Sequence, residues 1–208
     1  MEPIDTIAQR FGLSTEEART RLIEMATRGL VWANKQDEKL QFRLVPFVVG
    51  IYEAQLDNMD YEFAHFVEKD MVEGGIAGIM KPQPAIHRVV PAQRTMKSEW
   101  ILPYDDVQAI LLASKSFRVR DCICRVQQDH IGRRCDFPVR LCLTFTSVER
   151  PPSQISHEND ISQDEALAIL DQTEEIVLVH TVNNVMKGIG YICNCCGCCC
   201  GILRGIID

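Results

Sequence analysis

Residues 191–204 read YICNCCGCCCGILR, and six of the chain's ten cysteines (Cys193, Cys195, Cys196, Cys198, Cys199 and Cys200) fall within eight residues of it. Adjacent cysteines such as Cys195 and Cys196 do not easily bridge each other in ordinary disulfide geometry. The N-terminus, MEPIDTIAQRFG, lacks the basic start and apolar core of an export signal. The thiols are therefore expected to stay reduced in a cytoplasmic protein. Reduced thiols at this density are expected to be metal ligands, in a fold that converges on them.

Working outward, residues 1–121 contain no cysteine, and the remaining four are Cys122, Cys124, Cys135 and Cys142. This first group reads C-x-C-x10-C-x6-C. Four thiolates complete the shell of one iron–sulfur cluster. Structural zinc sites usually present C-x2-4-C pairs, so zinc is the weaker alternative for this spacing. The second group contains a C-x2-C-x2-C register, Cys193, Cys196 and Cys199. Ferredoxins use that spacing to wrap three corners of a [4Fe–4S] cluster, with a fourth ligand from elsewhere. Cys195, Cys198, Cys200 or a thiol of the first group is available for that corner. Asn194 and Gly197 are expected to supply left-handed turns between the thiols. His130 and His180 are secondary candidates, as histidines ligate Rieske centres. Arg118, Arg120, Arg125, Arg133, Arg134 and Arg140 crowd the first group. They either offset thiolate charge and dock an acidic redox partner, or form an ordinary solvated face.

The rest of the chain sets the frame. It has 208 residues, 46% apolar and 25% charged, with a formal net charge of −7, which suits one larger or two small soluble domains. The acidic balance argues against a role resting on nucleic-acid phosphates or anionic lipid. No apolar run approaches the ~20 residues of a membrane-spanning helix. Residues 1–45 read as a small winged-helix-like unit: a helix at Ile4–Phe11, a second begun by the capping box Ser14/Glu17, with Ala18, Leu22, Ile23 and Ala26 inward, then two extended segments. DNA binding through the second helix is weighed against packing or partner contact, and the acidic chain favours the latter.

Residues 46–208 are expected to form an α+β cysteine-rich cluster-binding domain. Val48, Ile51, Tyr52, Phe63, Phe66 and Val67 are its first core candidates, and Gly74, Gly75 and Gly78 a turn rather than a phosphate loop. Strands are expected at 89–93, 143–146 and 176–182, and helices at 103–114 and from the capping box Ser162/Glu165 to Glu175, with a loop at 149–160, while 117–124 leads into the first cysteine group.

The pieces WILPYDDV at 100–107, DCICR at 121–125, GRRCDFP at 132–138, LCLTF at 141–145, VHTVNN at 179–184 and YICNCCGCCCGILR at 191–204 resemble a family of iron–sulfur proteins of anaerobic bacteria and archaea, described as 4Fe–4S ferredoxin-type binding proteins. Together with the winged-helix-like start and LVPFVVGIYE at 44–53, the resemblance covers nearly the whole chain. Family members typically continue into two C-x2-C-x2-C-x3-C-P repeats, which this chain lacks.

The resemblance implies electron transfer in anaerobic redox metabolism, with a protein redox partner or a larger oxidoreductase complex. The leading expectation is an electron-transfer protein with one or two [4Fe–4S] clusters. Cys122, Cys124, Cys135 and Cys142 hold one; Cys193, Cys196 and Cys199 with one further thiol hold another. All ten cysteines are metal-ligand candidates. The alternatives are a metal- or redox-sensing winged-helix regulator and an iron–sulfur reductase with an open iron site. No paired acid–base residues mark out a catalytic role.

Overall fold

The computed structural model describes residues 1–36, 39–81, 83–90, 106–148 and 158–207. Two compact units emerge, Met1–Met59 and Asp60–Asp208, and the fold is α+β. The boundary expected at residue 45 lies within the first unit. Most of the stretch at 100–107, the end of the expected strand at 89–93 and most of the loop at 149–160 lie outside the described residues.

The first unit opens with β1 (Glu2–Pro3), α1 (Ile4–Phe11) and α2 (Thr15–Thr27), followed by β2 (Val31–Gln36) and β3 (Lys39–Leu44). The strands form an antiparallel sheet in the order β1-β3-β2. The capping box at the head of α2 forms: Glu17 N donates to Ser14 Oγ at 3.2 Å and Ser14 N donates to Glu17 Oε2 at 3.0 Å. Ile4, Ala8, Ala18, Val31 and Phe42 make the core, with Leu22 and Ala26 packed against it. Ile23, expected inward, is exposed. After β3 the chain runs irregularly through Phe47–Ile51 to a single turn, α3 (Tyr52–Ala54). Gln55 Nε2 donates to Arg28 O at 2.9 Å, tying this segment to the end of α2.

The second unit begins with α4 (Tyr61–Asp70), capped by Asp60, whose Oδ1 accepts from Phe63 N at 2.8 Å. Phe66, expected in the core, is exposed on α4, while Ala64, Val67 and Glu68 are buried. Gly74, at φ 131°, breaks the helix before α5 (Ile76–Met80). That backbone is open to glycine and strained for other residues. The elements that follow are β4 (His87–Val89), α6 (Val107–Leu112), β5 (Ser116–Arg120), α7 (Ile123–His130), β6 (Cys142–Thr146), β7 (Asp160–Ile161), α8 (Gln163–Glu175), β8 (Val179–Asn183), β9 (Tyr191–Cys195) and α9 (Gly201–Ile207).

The strands form a six-stranded antiparallel sheet in the order β4-β8-β9-β6-β5-β7. β8 starts later than the expected Ile176, because Ile176 caps α8 and Val177 turns the backbone at φ 59°. The two faces of the sheet have different fates because side chains alternate along a strand. Leu143 and Phe145 of β6 and Ile192 of β9 join Val107 and Leu111 of α6 and Ala166 and Leu170 of α8 in the main core. Leu143 pairs with Ile192 and Thr144 with Tyr191. Cys142, Cys193 and Cys195 therefore point from the opposite face, and one of two groups of thiols is built there.

Candidate metal centre

All ten cysteines are free thiols, and they form two groups in space that cut across the two groups in sequence. Cys135, Cys196, Cys198 and Cys199 have Sγ atoms all within 4.8 Å of one another, and Cys198 and Cys199 are 3.7 Å apart. Cys135 thus stands with the 193–200 stretch and not with Cys122, Cys124 and Cys142. Cys196 and Cys199 pack with Leu141 and Leu178, with Phe137 alongside, while Cys198 is exposed. A cavity of about 250 Å³ opens beside Cys135, lined also by Arg125, His130 and Arg134.

The other six thiols close a ring. Cys122 interacts with Cys124 and Cys142, Cys142 with Cys193, Cys193 with Cys195, Cys195 with Cys200, and Cys200 with Cys124. The local fold explains the division. In β9, Cys193 and Cys195 are two residues apart and share a face. The turn after β9 carries Cys196, Cys198 and Cys199 away, and the start of α9 returns Cys200. Gly201 permits that return, since a Cβ there would stand 2.9 Å from Met71 Sδ. The C-x2-C-x2-C register is therefore divided, with Cys193 in the ring and Cys196 and Cys199 in the compact group. Neither Asn194 nor Gly197 adopts the left-handed backbone expected of it. Asn194 is a strand residue, and its side chain has another task.

That task is a buried network between the two groups. Asn194 Nδ2 donates to Leu141 O at 2.6 Å, and Asn194 Oδ1 lies 2.7 Å from His180 Nδ1. The amide oxygen must accept, so Nδ1 of His180 carries the proton. Burial lowers the His180 pKa and keeps the ring neutral. His180 pairs across the sheet with Asn194, out of phase with Cys193 and Cys195, so it faces away from the ring thiols. Arg125, buried on α7, donates from Nη2 to Asn194 O at 2.9 Å. Burial opposes the Arg125 charge, and the thiols of Cys122, Cys196 and Cys135 outweigh that opposition and raise its pKa. One guanidinium thus acts on both thiol groups.

Among the ring thiols, hydrogen bonds from Cys124 and Cys142 hold Cys122 well below the usual thiol range. Those from Cys124 and Cys195 bring Cys200 down to about 3. The donors move the other way: Cys124, Cys142, Cys193 and Cys195 are all pushed up. Without metal, the ring therefore favours thiolate, the form that binds metal, at Cys122 and Cys200 alone. Backbone N–H groups of Leu203 and Ile202 also donate to Cys200.

Glu68 anchors this scaffold, and nothing in the sequence reading singled it out. Its buried carboxylate accepts two hydrogen bonds from Arg204 of α9, at 2.9 and 2.6 Å. It also accepts from Gln128 and Gln127 of α7, at 2.8 and 3.3 Å, and from Arg133 at 2.7 Å. A buried carboxylate among buried amides and an arginine 136 residues away leaves no local pattern to find. The Arg204 hydrogen bonds, against the opposing effect of burial and with help from Gln128, lower the Glu68 pKa to about 2. The arginine-rich face proves largely paired: Arg118 with Asp160, Arg133 with Glu68, and Arg140 with Asp121 and Asn159.

Comparison of the chain with models of protein families, with curated proteins and with solved structures gave no match. The donor chemistry therefore carries the reading. Both groups are all-sulfur, which suits soft, thiophilic metals such as iron–sulfur clusters, zinc and copper(I). No helix among the described residues is long and apolar enough to cross a membrane.

Proposed function

We propose that the chain is an iron–sulfur protein that transfers electrons, with Cys135, Cys196, Cys198 and Cys199 holding one metal centre. The observation that carries this is the convergence of those four thiols, drawn from two distant segments, within 4.8 Å of one another. When bound, an iron–sulfur cluster supplies one-electron chemistry at a potential set by burial and by hydrogen bonds to sulfur. The chain's own residues supply the thiolates, the Arg125 charge and the exposed edge at Cys198 through which a redox partner approaches. The resemblance to ferredoxin-type proteins supports iron and electron transfer to a protein partner.

One observation favours a second reading for this centre, a single tetrahedral ion such as zinc. Bonds of about 2.3 Å place tetrahedral sulfurs roughly 3.8 Å apart, close to the 3.7 Å between Cys198 and Cys199. Anaerobic purification with counting of iron, zinc and acid-labile sulfide decides between them. Iron with sulfide is expected, and the double variant Cys135→Ser/Cys198→Ser is expected to lose one centre's share of metal. Zinc without iron or sulfide would sink the electron-transfer reading. Unchanged metal content in the double variant would remove these thiols as ligands.

A further inference from the structure

We propose that the ring of Cys122, Cys124, Cys142, Cys193, Cys195 and Cys200 is a second, separate metal centre that takes a polynuclear iron–sulfur cluster and not a single ion. This rests on the reading that the thiols of this chain are metal ligands, and it concerns the six that the compact group leaves out.

Size is the first argument. A single tetrahedral ion draws its sulfurs to about 3.8 Å of each other. Among the described residues, Cys135, Cys196, Cys198 and Cys199 form the one set of three or more potential ligands whose donor atoms all lie within 4.8 Å. No three ring thiols meet that limit, although each interacts with its two neighbours around a closed circuit. Sulfurs in that arrangement surround a volume. Several metal atoms, each taking one or two thiolates, fill it where one ion leaves most of the circuit unused.

Construction is the second argument. The ring thiols come from four places in the fold: the start of α7, β6, β9 and the residue before α9. The β6 and β9 thiols are set by strand register. The α7 and α9 thiols are set by helices that share the Glu68 carboxylate. Thr181 Oγ1 lies 3.5 Å from Cys195 Sγ, and backbone N–H groups reach Cys200. Hydrogen bonds to sulfur of this kind tune iron–sulfur clusters. Core cysteines used only as small apolar side chains need neither a circuit nor donors. Each thiol that ligates gives its proton to solvent; two ferrous ions, two ferric ions and four sulfides from solution then carry the electron count of a [4Fe–4S] cluster, so loading needs no net oxidation or reduction.

The test loads the full chain anaerobically with equal amounts of ferrous and ferric iron and with sulfide. The variant Cys135→Ser/Cys198→Ser is expected to keep at least two irons per chain with acid-labile sulfide. The variant Cys142→Ser/Cys195→Ser is expected to lose that share and to keep the remainder. Full iron and sulfide in the ring variant overturns the proposal, as does their complete loss from a folded Cys135→Ser/Cys198→Ser chain.

Wild-type protein gives a measurement independent of variant folding. Alkylation mapped by mass spectrometry is expected to spare the six ring cysteines in the loaded chain and to label them after chelation of the iron. Equal labelling before and after chelation overturns the proposal. Full iron retention in Cys135→Ser/Cys198→Ser would instead count against the compact centre while leaving the ring intact.

Discussion

The two thiol groups differ in nearly everything except their element. Cys135, Cys196, Cys198 and Cys199 stand close together, with Cys198 at the surface and a solvent-open cavity beside Cys135. The six-thiol ring is wider and is held against a sheet face, with Cys122, Cys195 and Cys200 buried. Three thiols of the compact group belong to the turn after β9 and Cys135 joins them from between α7 and β6, whereas the ring belongs to strands and helix ends. A turn can bring neighbouring residues onto one point. A strand separates successive side chains to opposite faces, and distant segments must complete the circle. The same short stretch, residues 193–200, serves both because it changes from strand to turn to helix within that span.

The largest effect expected from breaking this comparison lies at Glu68. Removing one partner of a buried ion pair typically costs on the order of 3–5 kcal/mol. Glu68→Ala strands Arg204 and leaves Gln127 and Gln128 without their acceptor. Denaturant titration of the metal-free chain is expected to show a loss of that order. The ring should suffer more than the compact group, because Glu68 joins the helices that carry Cys122, Cys124 and Cys200. Equal loss of metal from both centres would show that the scaffold is shared.

The same residue predicts a pH dependence. Its folded pKa is depressed, from an ordinary value of 4.5 to about 2. The stability it contributes is therefore fully present above about 4.5 and is lost as pH falls toward 2. Glu68→Gln should flatten the decline of the unfolding free energy across that window.

Arg125 gives a smaller effect, and one that joins the two regions. It interacts with thiols of both groups, Cys122 of the ring and Cys135 and Cys196 of the compact group. A nearby positive charge favours the electron-rich state of an iron–sulfur centre. Arg125→Met should therefore lower the midpoint potentials of both centres in the iron-loaded chain, by tens of millivolts or more. Redox titration followed by electron paramagnetic resonance reads each centre separately. A shift confined to one centre would place the guanidinium outside the space between them.

Local signals in the sequence carried well into the structure. Ser14 with Glu17 and Ser162 with Glu165 mark helix starts, and both boxes form. The cysteine density pointed correctly to the region where possible metal ligands gather. The partition of the ligands was not legible, because it depends on which face of β6 and β9 each thiol occupies and on where Cys135 returns. Those are products of sheet register, not of spacing along the chain. Glu68 and the amide of Asn194 were illegible for the same reason. Each acts on residues far away in sequence, and each type of residue is more common at the surface. Phe66 and Ile23 failed in the opposite sense. Their spacing suits a helix face, but the faces that α4 and α2 bury are fixed by neighbours the pattern does not contain.

The smallest predicted effect tests whether the layer behind the sheet is separable from the layer that bears the thiols. At the head of α8, Glu165 N donates to Ser162 Oγ at 3.2 Å and Ser162 N donates to Glu165 Oε2 at 2.8 Å. Ser162→Ala removes the first of these bonds and should destabilise the chain by about 1 kcal/mol, the usual cost of a lost N-cap. The helix buries Ala166 and Leu170 in the main core, on the face of the sheet opposite Cys142, Cys193 and Cys195. Metal content at both centres should therefore be unchanged in Ser162→Ala, while thermal unfolding moves to slightly lower temperature. Loss of metal at the ring would mean that the packing of α8 sets the register of β6 and β9. Loss at the compact group alone would trace instead to Ile169 of α8, which packs against Leu141, Leu178, Cys196 and Cys199 as well as against the main core.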